Sequence, residues 1–103
     1  MTELSVVGTH DALARLGLAL SDPVRRSVLL RLSEAPAYPA ELAELCSTSR
    51  SNMSNHLACL RGCGLIVAER EGRHMRYELI TPDFAAALQT LASATLAATC
   101  DQP

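Results

Sequence analysis

The chain has 103 residues, 49% of them apolar, with four cysteines, nine arginines, no lysine and a formal net charge of -2. That length makes one domain, residues 1–103, with a core small enough to gain from burial against a second copy. No apolar run reaches the roughly 20 residues needed to span a bilayer, the N-terminus lacks a secretion signal, and the weak net charge argues against a bulk polyanion binder, so the reading is a cytoplasmic protein with no membrane partner.

Aromatic residues are Phe84, Tyr38 and Tyr77 alone, so the core must come from Leu, Val and Ala, which suits close-packed helices. Residues 1–9 show no period and are expected to be mobile. Residues 10–20 read as a helix with Leu13, Leu16 and Leu20 on one stripe. Ser21, Asp22 and Pro23 form a start signal, a cap followed by proline in the first turn. The helix that follows runs to residue 34 with Val24, Val28, Leu29 and Leu32 at helical spacing, and Ala35-Pro36 stops it. Its Arg25, Arg26 and Arg31 read first as a solvated face and second as contacts to a DNA backbone.

A short third helix, residues 40–46, points Leu42 and Leu45 inward and ends at Cys46, whose apolar neighbours favour packing. A polar turn, residues 47–49, leads into residues 48–64, the stretch on which the reading centres. At about 100° per residue, Met53, Leu57 and Leu60 share one buried stripe of that helix. Its first turns offer Arg50, Ser51, Asn52, Ser54, Asn55 and His56, side chains able to meet phosphate oxygens and base edges. His56 lies nearer the apolar stripe and reads equally as structural. Two helices joined by so short a turn, the second rich in polar groups, make a helix-turn-helix. The last turn carries Cys59 and Cys63, spaced i,i+4 on one face. Cysteines in a cytosolic chain more often mean metal or redox chemistry than structural bridges. Free cysteine is also a common core residue, so packing stays open beside a metal or redox role.

Gly64 is a helix stop. Beyond it the period changes to that of strands at residues 65–70 and 74–80, joined by Glu71-Gly72-Arg73. Met75, Tyr77 and Leu79 are expected to face in, Arg76 and Glu78 out. Arg70, Arg73, His74 and Arg76 crowd the tip, which beside a helix-turn-helix makes a wing for the DNA backbone or minor groove. Charge agrees: residues 48–77 hold five Arg against two Glu, while the remainder has four Arg against nine acids. Thr81-Pro82-Asp83 then starts a last helix, to about residue 99, with Phe84, Leu88, Leu91, Leu96 and seven alanines. A helix apolar almost all round should be buried. The rest of so small a chain cannot cover it, so a two-fold dimer through residues 10–20 and 82–100 is expected, with Cys100 near the crossing point. The fold class is therefore mainly α with a small β-hairpin, a winged helix-turn-helix dimerised through its N- and C-terminal helices.

These stretches resemble the ArsR/SmtB family of winged-helix metal-sensing repressors. The likeness runs from Asp11 to Leu96 and is carried by three segments: residues 16–32, residues 51–65 with Ser54-Asn55-His56-Leu57, and Glu71-Gly72-Arg73 through Arg76-Tyr77. The recognition helix, with Cys59-Leu60-Arg61-Gly62-Cys63-Gly64, is similar to that of the cadmium/lead sensors within the family. The resemblance implies a homodimeric repressor, not an enzyme, that leaves operator DNA when metal binds. It also implies a ligand set of Cys59, Cys63 and Cys100, the last from the other protomer and slightly earlier than the pattern expects. Two other family sites find no match, since the last helix has no His to pair with Asp83 and Cys46 lacks companion thiols. Three thiolates favour a soft inducer, Cd(II) or Pb(II) with As(III) next, and no metal is needed for DNA binding. A thiol-redox repressor of the same fold, or a member with another inducer, is the alternative. A Cys59/His56 enzyme finds no oxyanion site or orienting group to support it.

Overall fold

The computed structural model describes residues 6–98, which form five helices and one hairpin in the order α1 (Val6–Leu20), α2 (Pro23–Leu32), α3 (Pro39–Leu45), α4 (Arg50–Gly62), β1 (Ile66–Glu71), β2 (His74–Leu79) and α5 (Pro82–Ala97). Helix α1 starts earlier than its leucine stripe suggested. Residues 6–9, which have no apolar period of their own, continue its first turn. Only Ala19 of that helix is buried, and Leu13 and Leu18 lie more than half exposed.

Asp22 caps α2 as its sequence demands, accepting a hydrogen bond from the Arg25 amide at 3.0 Å, with Pro23 following. The arginines of α2 bond to backbone carbonyls, with Arg26 still exposed and Arg25 and Arg31 half-buried. Arg25 Nη2 donates to the Leu18 carbonyl at 2.7 Å and its Nε to the Ala19 carbonyl at 3.2 Å, while Arg26 Nη1 donates to the Leu20 carbonyl at 2.8 Å. These carbonyls lie in the last turn of α1, so two guanidinium groups, with the Ser21 amide and hydroxyl on the Leu18 carbonyl, close its C-terminus. Arg31 Nη1 likewise donates to the Ala35 carbonyl.

The core lies where α2, α3, α4 and the hairpin meet. Val28, Leu29, Leu42, Met53, Leu57 and Leu60 are essentially inaccessible, and Ile66, Leu79 and Leu88 close the edges. The α4 stripe of Met53, Leu57 and Leu60 is the one its spacing predicts. Ser47 takes a left-handed φ of 52° in the turn between α3 and α4. There its amide bonds to the Glu44 carbonyl and the Thr48 amide to the Ala43 carbonyl, the paired bonds that usually employ glycine.

Strands β1 and β2 pair antiparallel from Ile66 opposite Leu79 to Glu71 opposite His74. Gly72, with φ 59°, supplies the left-handed first position of the two-residue turn. Inward Tyr77 and Leu79 follow the expected alternation, but Arg76 does not point to open solvent. It is half-buried because Glu69 and Glu71 take its guanidinium at 3.6 and 3.1 Å. An isolated bridge from Ala37 to Tyr77, with amide-to-carbonyl distances of 3.0 and 2.9 Å, fastens the wing to the start of α3.

Helix α5 begins with Thr81 accepting from the Phe84 amide, then Pro82. Leu88 is its one buried residue in the single chain, as expected of a helix that the rest of so small a chain cannot cover; Leu91 is 49% and Leu96 87% exposed. An open apolar groove of about 410 Å³ runs between α2 and α5, lined by Leu20, Leu29, Leu30, Leu88 and Leu91. No helix among the described residues is long and apolar enough to cross a membrane.

Candidate nucleic-acid interface and metal centre

Ser49 accepts a hydrogen bond from the Asn52 amide at 3.0 Å and so fixes where α4 begins. From that start Arg50, Ser51, Asn52, Ser54 and Asn55 all project into solvent, with Met53 between them in the core. Arg50, Ser51 and Ser54 share a polar cleft of about 420 Å³ with Arg73, His74, Met75 and Tyr77 of the hairpin and Pro39 of α3. Two arginines and three hydroxyl-bearing residues line it and no carboxylate does, a setting suited to a phosphodiester backbone. Arg70 is exposed and donates to the Gly72 carbonyl at 3.2 Å, bending back over the turn.

Two residues assigned to DNA contact have other engagements. The half-buried His56 sits with Nδ1 3.6 Å from Asp22 Oδ2, on the side of α4 that faces the start of α2. Asp22 is held below the usual carboxylate range by the Arg25 amide, with the charges of His56 and Arg25 adding to it against the opposing effect of burial. Arg76 is committed to Glu69 and Glu71, and its Nε, 3.1 Å from Glu71, is buried without an aligned hydrogen bond. Sequence reasoning missed the group that orders this end of the wing. Tyr38 Oη donates to Glu71 Oε1 at 2.6 Å, and its ring meets the His74 ring edge to face at 6.0 Å. The hydrogen bond to Glu71 raises the Tyr38 hydroxyl above its ordinary pKa.

The far end of α4 carries the thiols. Cys59 is half-buried, while Cys63, the C-cap, is 5% exposed. Burial, then the negative charge and the hydrogen bond of Cys59, push the Cys63 thiol above its ordinary range. Cys59 and its C-cap neighbour Cys63 stand one helical turn apart, and the softness of their sulfurs suits a thiophilic cation. Among the described residues no group of three or more His, Cys, Asp or Glu gathers to hold a metal. Cys59 and Cys63 therefore fit such an ion only as part of a larger set. Cys100 lies outside the described residues. Cys46 is half-buried at the end of α3, where burial and the charge of Asp22 raise its thiol, in keeping with packing.

The end of α4 is closed in two ways. Gly64, with φ 78°, bonds its amide to the Arg61 carbonyl at 2.9 Å, and the Leu65 amide reaches the Leu60 carbonyl at 3.1 Å. Arg15 of α1 then donates from Nη1 to the Cys63 carbonyl at 2.8 Å, while Asp11 takes its Nε at 3.0 Å. Arg15 was not singled out from sequence, although it is the one arginine of α1.

A reading helix seated in a three-helix core, with a hairpin fastened beside its N-terminal end, defines a winged helix-turn-helix DNA-binding protein. A family profile described as a helix-turn-helix domain matches residues 20–69. The transcriptional regulator CmtR of Mycobacterium tuberculosis is 52% identical over 94 residues, covering 91% of this chain and 80% of that protein. The NMR structure of that organism's cadmium metal-sensor CmtR aligns with TM-score 0.68 and 51% identity over 87% of this chain and 94% of the other. A homodimeric winged helix-turn-helix DNA-binding domain from Mycobacterium bovis aligns over the whole of both chains, with TM-score 0.78 and 26% identity. The chain belongs to the ArsR/SmtB family of transcriptional regulators and is not an enzyme.

Proposed function

We propose that the chain is a metal-responsive repressor that holds operator DNA as a metal-free homodimer and releases it when a soft ion binds its cysteines. The observation that carries this reading is the division of α4: solvent-facing polar groups at one end, Cys59 and Cys63 one helical turn apart at the other. Cd(II) or Pb(II) is the proposed inducer, with As(III) next, because thiolates prefer soft acceptors. Cys100 of the partner subunit is the proposed third donor. The relatives support the choice, CmtR being described as a cadmium metal-sensor.

In the metal-free dimer Arg50, Ser51, Asn52, Ser54 and Asn55 meet bases and backbone, with Arg70, Arg73 and His74 following phosphates along the wing. His56 supports the helix from behind, against Asp22, and Arg76 orders the wing through its two glutamates. The recognition helices of a dimer must lie about 34 Å apart to enter successive major grooves. An ion that draws the thiol end of α4 toward the second copy disturbs that spacing, so metal and operator oppose one another. Linkage requires DNA to weaken metal binding by the same factor, typically about 5- to 150-fold.

The test is titration of reduced protein with Cd(II) or Pb(II), following thiolate-to-metal ultraviolet absorption and release of a fluorescent operator together. Cys59→Ser and Cys63→Ser are expected to keep DNA binding and lose both signals, and Cys100→Ser to weaken the response markedly. An intact absorption band in the Cys59→Ser, Cys63→Ser double variant would refute the site.

A further inference from the structure

We infer that Arg15 is the positioning residue through which metal at the thiol end of α4 is felt by α1, an inference resting on the metal-sensor reading above. Three observations meet at this side chain. Its Nη1 holds the carbonyl of Cys63, itself one of the two proposed α4 ligands, at 2.8 Å. Its Nε is held by Asp11 at 3.0 Å, so the guanidinium is aimed from within α1 rather than hanging from it. Gly64 leaves room for it: a β-carbon there would lie 3.3 Å from Nη1.

The contact is matched to its place. Cys63 is the C-cap, and the bonds of Gly64 and Leu65 satisfy the carbonyls of Arg61 and Leu60 but not that of Cys63. A cation at the negative end of the helix dipole completes the cap. Unlike Arg25 and Arg26, which close the helix beside their own, Arg15 reaches 48 residues along the chain. Helix α1 in turn presents Val6, Val7, Leu13 and Leu18 as uncovered apolar side chains, the surface proposed for the second copy. Any shift of Cys63 that accompanies capture of an ion by its sulfur must move or break the bond from Arg15. The strap therefore converts a change at two sulfurs into a change in how α1 sits. Without it, the end of α4 can adjust to metal while α1 and the dimer stay as they were.

The experiment compares wild type, Arg15→Ala and Asp11→Asn as full-length reduced protein, with three readings on each: Cd(II) affinity without DNA from the thiolate absorption, operator affinity without metal, and operator affinity at saturating Cd(II). The expected result for Arg15→Ala is near-unchanged Cd(II) affinity and metal-free operator affinity, with the ratio of operator affinities cut by about fivefold or more. Asp11→Asn, which leaves the helix end capped but frees the guanidinium to swing, is expected to fall between. A merely structural role would lower both affinities together and leave their ratio alone. Loss of Cd(II) affinity in Arg15→Ala, or an unchanged ratio with the absorption intact, overturns the inference. Absence of the thiolate band in wild type instead overturns the metal-sensor reading itself.

Discussion

At the scale of single residues, the two thiols of α4 are not equivalent, although their spacing makes them look so. Cys59 is half-buried and Cys63 nearly enclosed, and burial together with Cys59 holds the Cys63 thiol above its ordinary range. In the proposed site an ion would displace the protons of both, so apparent affinity is expected to fall as pH drops, by on the order of tenfold per thiol per pH unit below the thiol range. Because Cys63 is raised, the dependence should continue upward past the ordinary thiol pKa rather than level off there. Cd(II) titrations against a competing chelator between neutral and alkaline pH check this; a flat profile would exclude Cys63 as a ligand. The i,i+4 spacing made the pair legible in the sequence. The burial difference was not, because it depends on long-range packing around the end of α4, where Arg15 of α1 reaches the Cys63 carbonyl, which no local pattern encodes. Similarly, Arg25 and Arg26 read as surface charge, because the helix end they close lies on the preceding element.

At the scale of elements, the helix-turn-helix and wing were legible because capping residues and apolar periods mark both ends of each segment. Asp22-Pro23, Ser49, Gly64, Gly72 and Thr81-Pro82 all stand where the backbone needs them. What sequence did not show is how the wing is held. The link from Tyr38 to Glu71, with Arg76 on the same carboxylate, joins residues 33 and more positions apart. It sets the hairpin tip relative to α4, so the cleft between Arg50 and Arg73 depends on it. Substituting Glu71→Gln removes the charge that holds Arg76 and weakens the acceptor for Tyr38. The expected outcome is weaker operator binding and faster amide exchange in β1 and β2, with Cd(II) affinity unchanged. Operator binding equal to wild type would show that the wing's angle is set elsewhere.

For the whole molecule, the radius of gyration is 15.0 Å, against about 13 Å for a compact domain of this length. Helices α1 and α5 flank a well-packed centre and leave Leu13, Leu91 and Leu96 open. Such an apolar surface fits the proposed homodimer. A charge placed on it, Leu91→Glu, should shift the protein to monomers in sedimentation and reduce operator affinity steeply while far-ultraviolet circular dichroism stays near wild type. A dimer that survives the charge would move the interface off α5. In the proposed sensor the enclosure of Cys63 would set a tempo. An ion would meet the half-buried Cys59 first and the second sulfur only once the helix end gave way, so rapid mixing with Cd(II) is expected to give a concentration-dependent fast phase and a slower phase that is not. A passing ion would leave before the slow phase, and only a lasting exposure would trip the response.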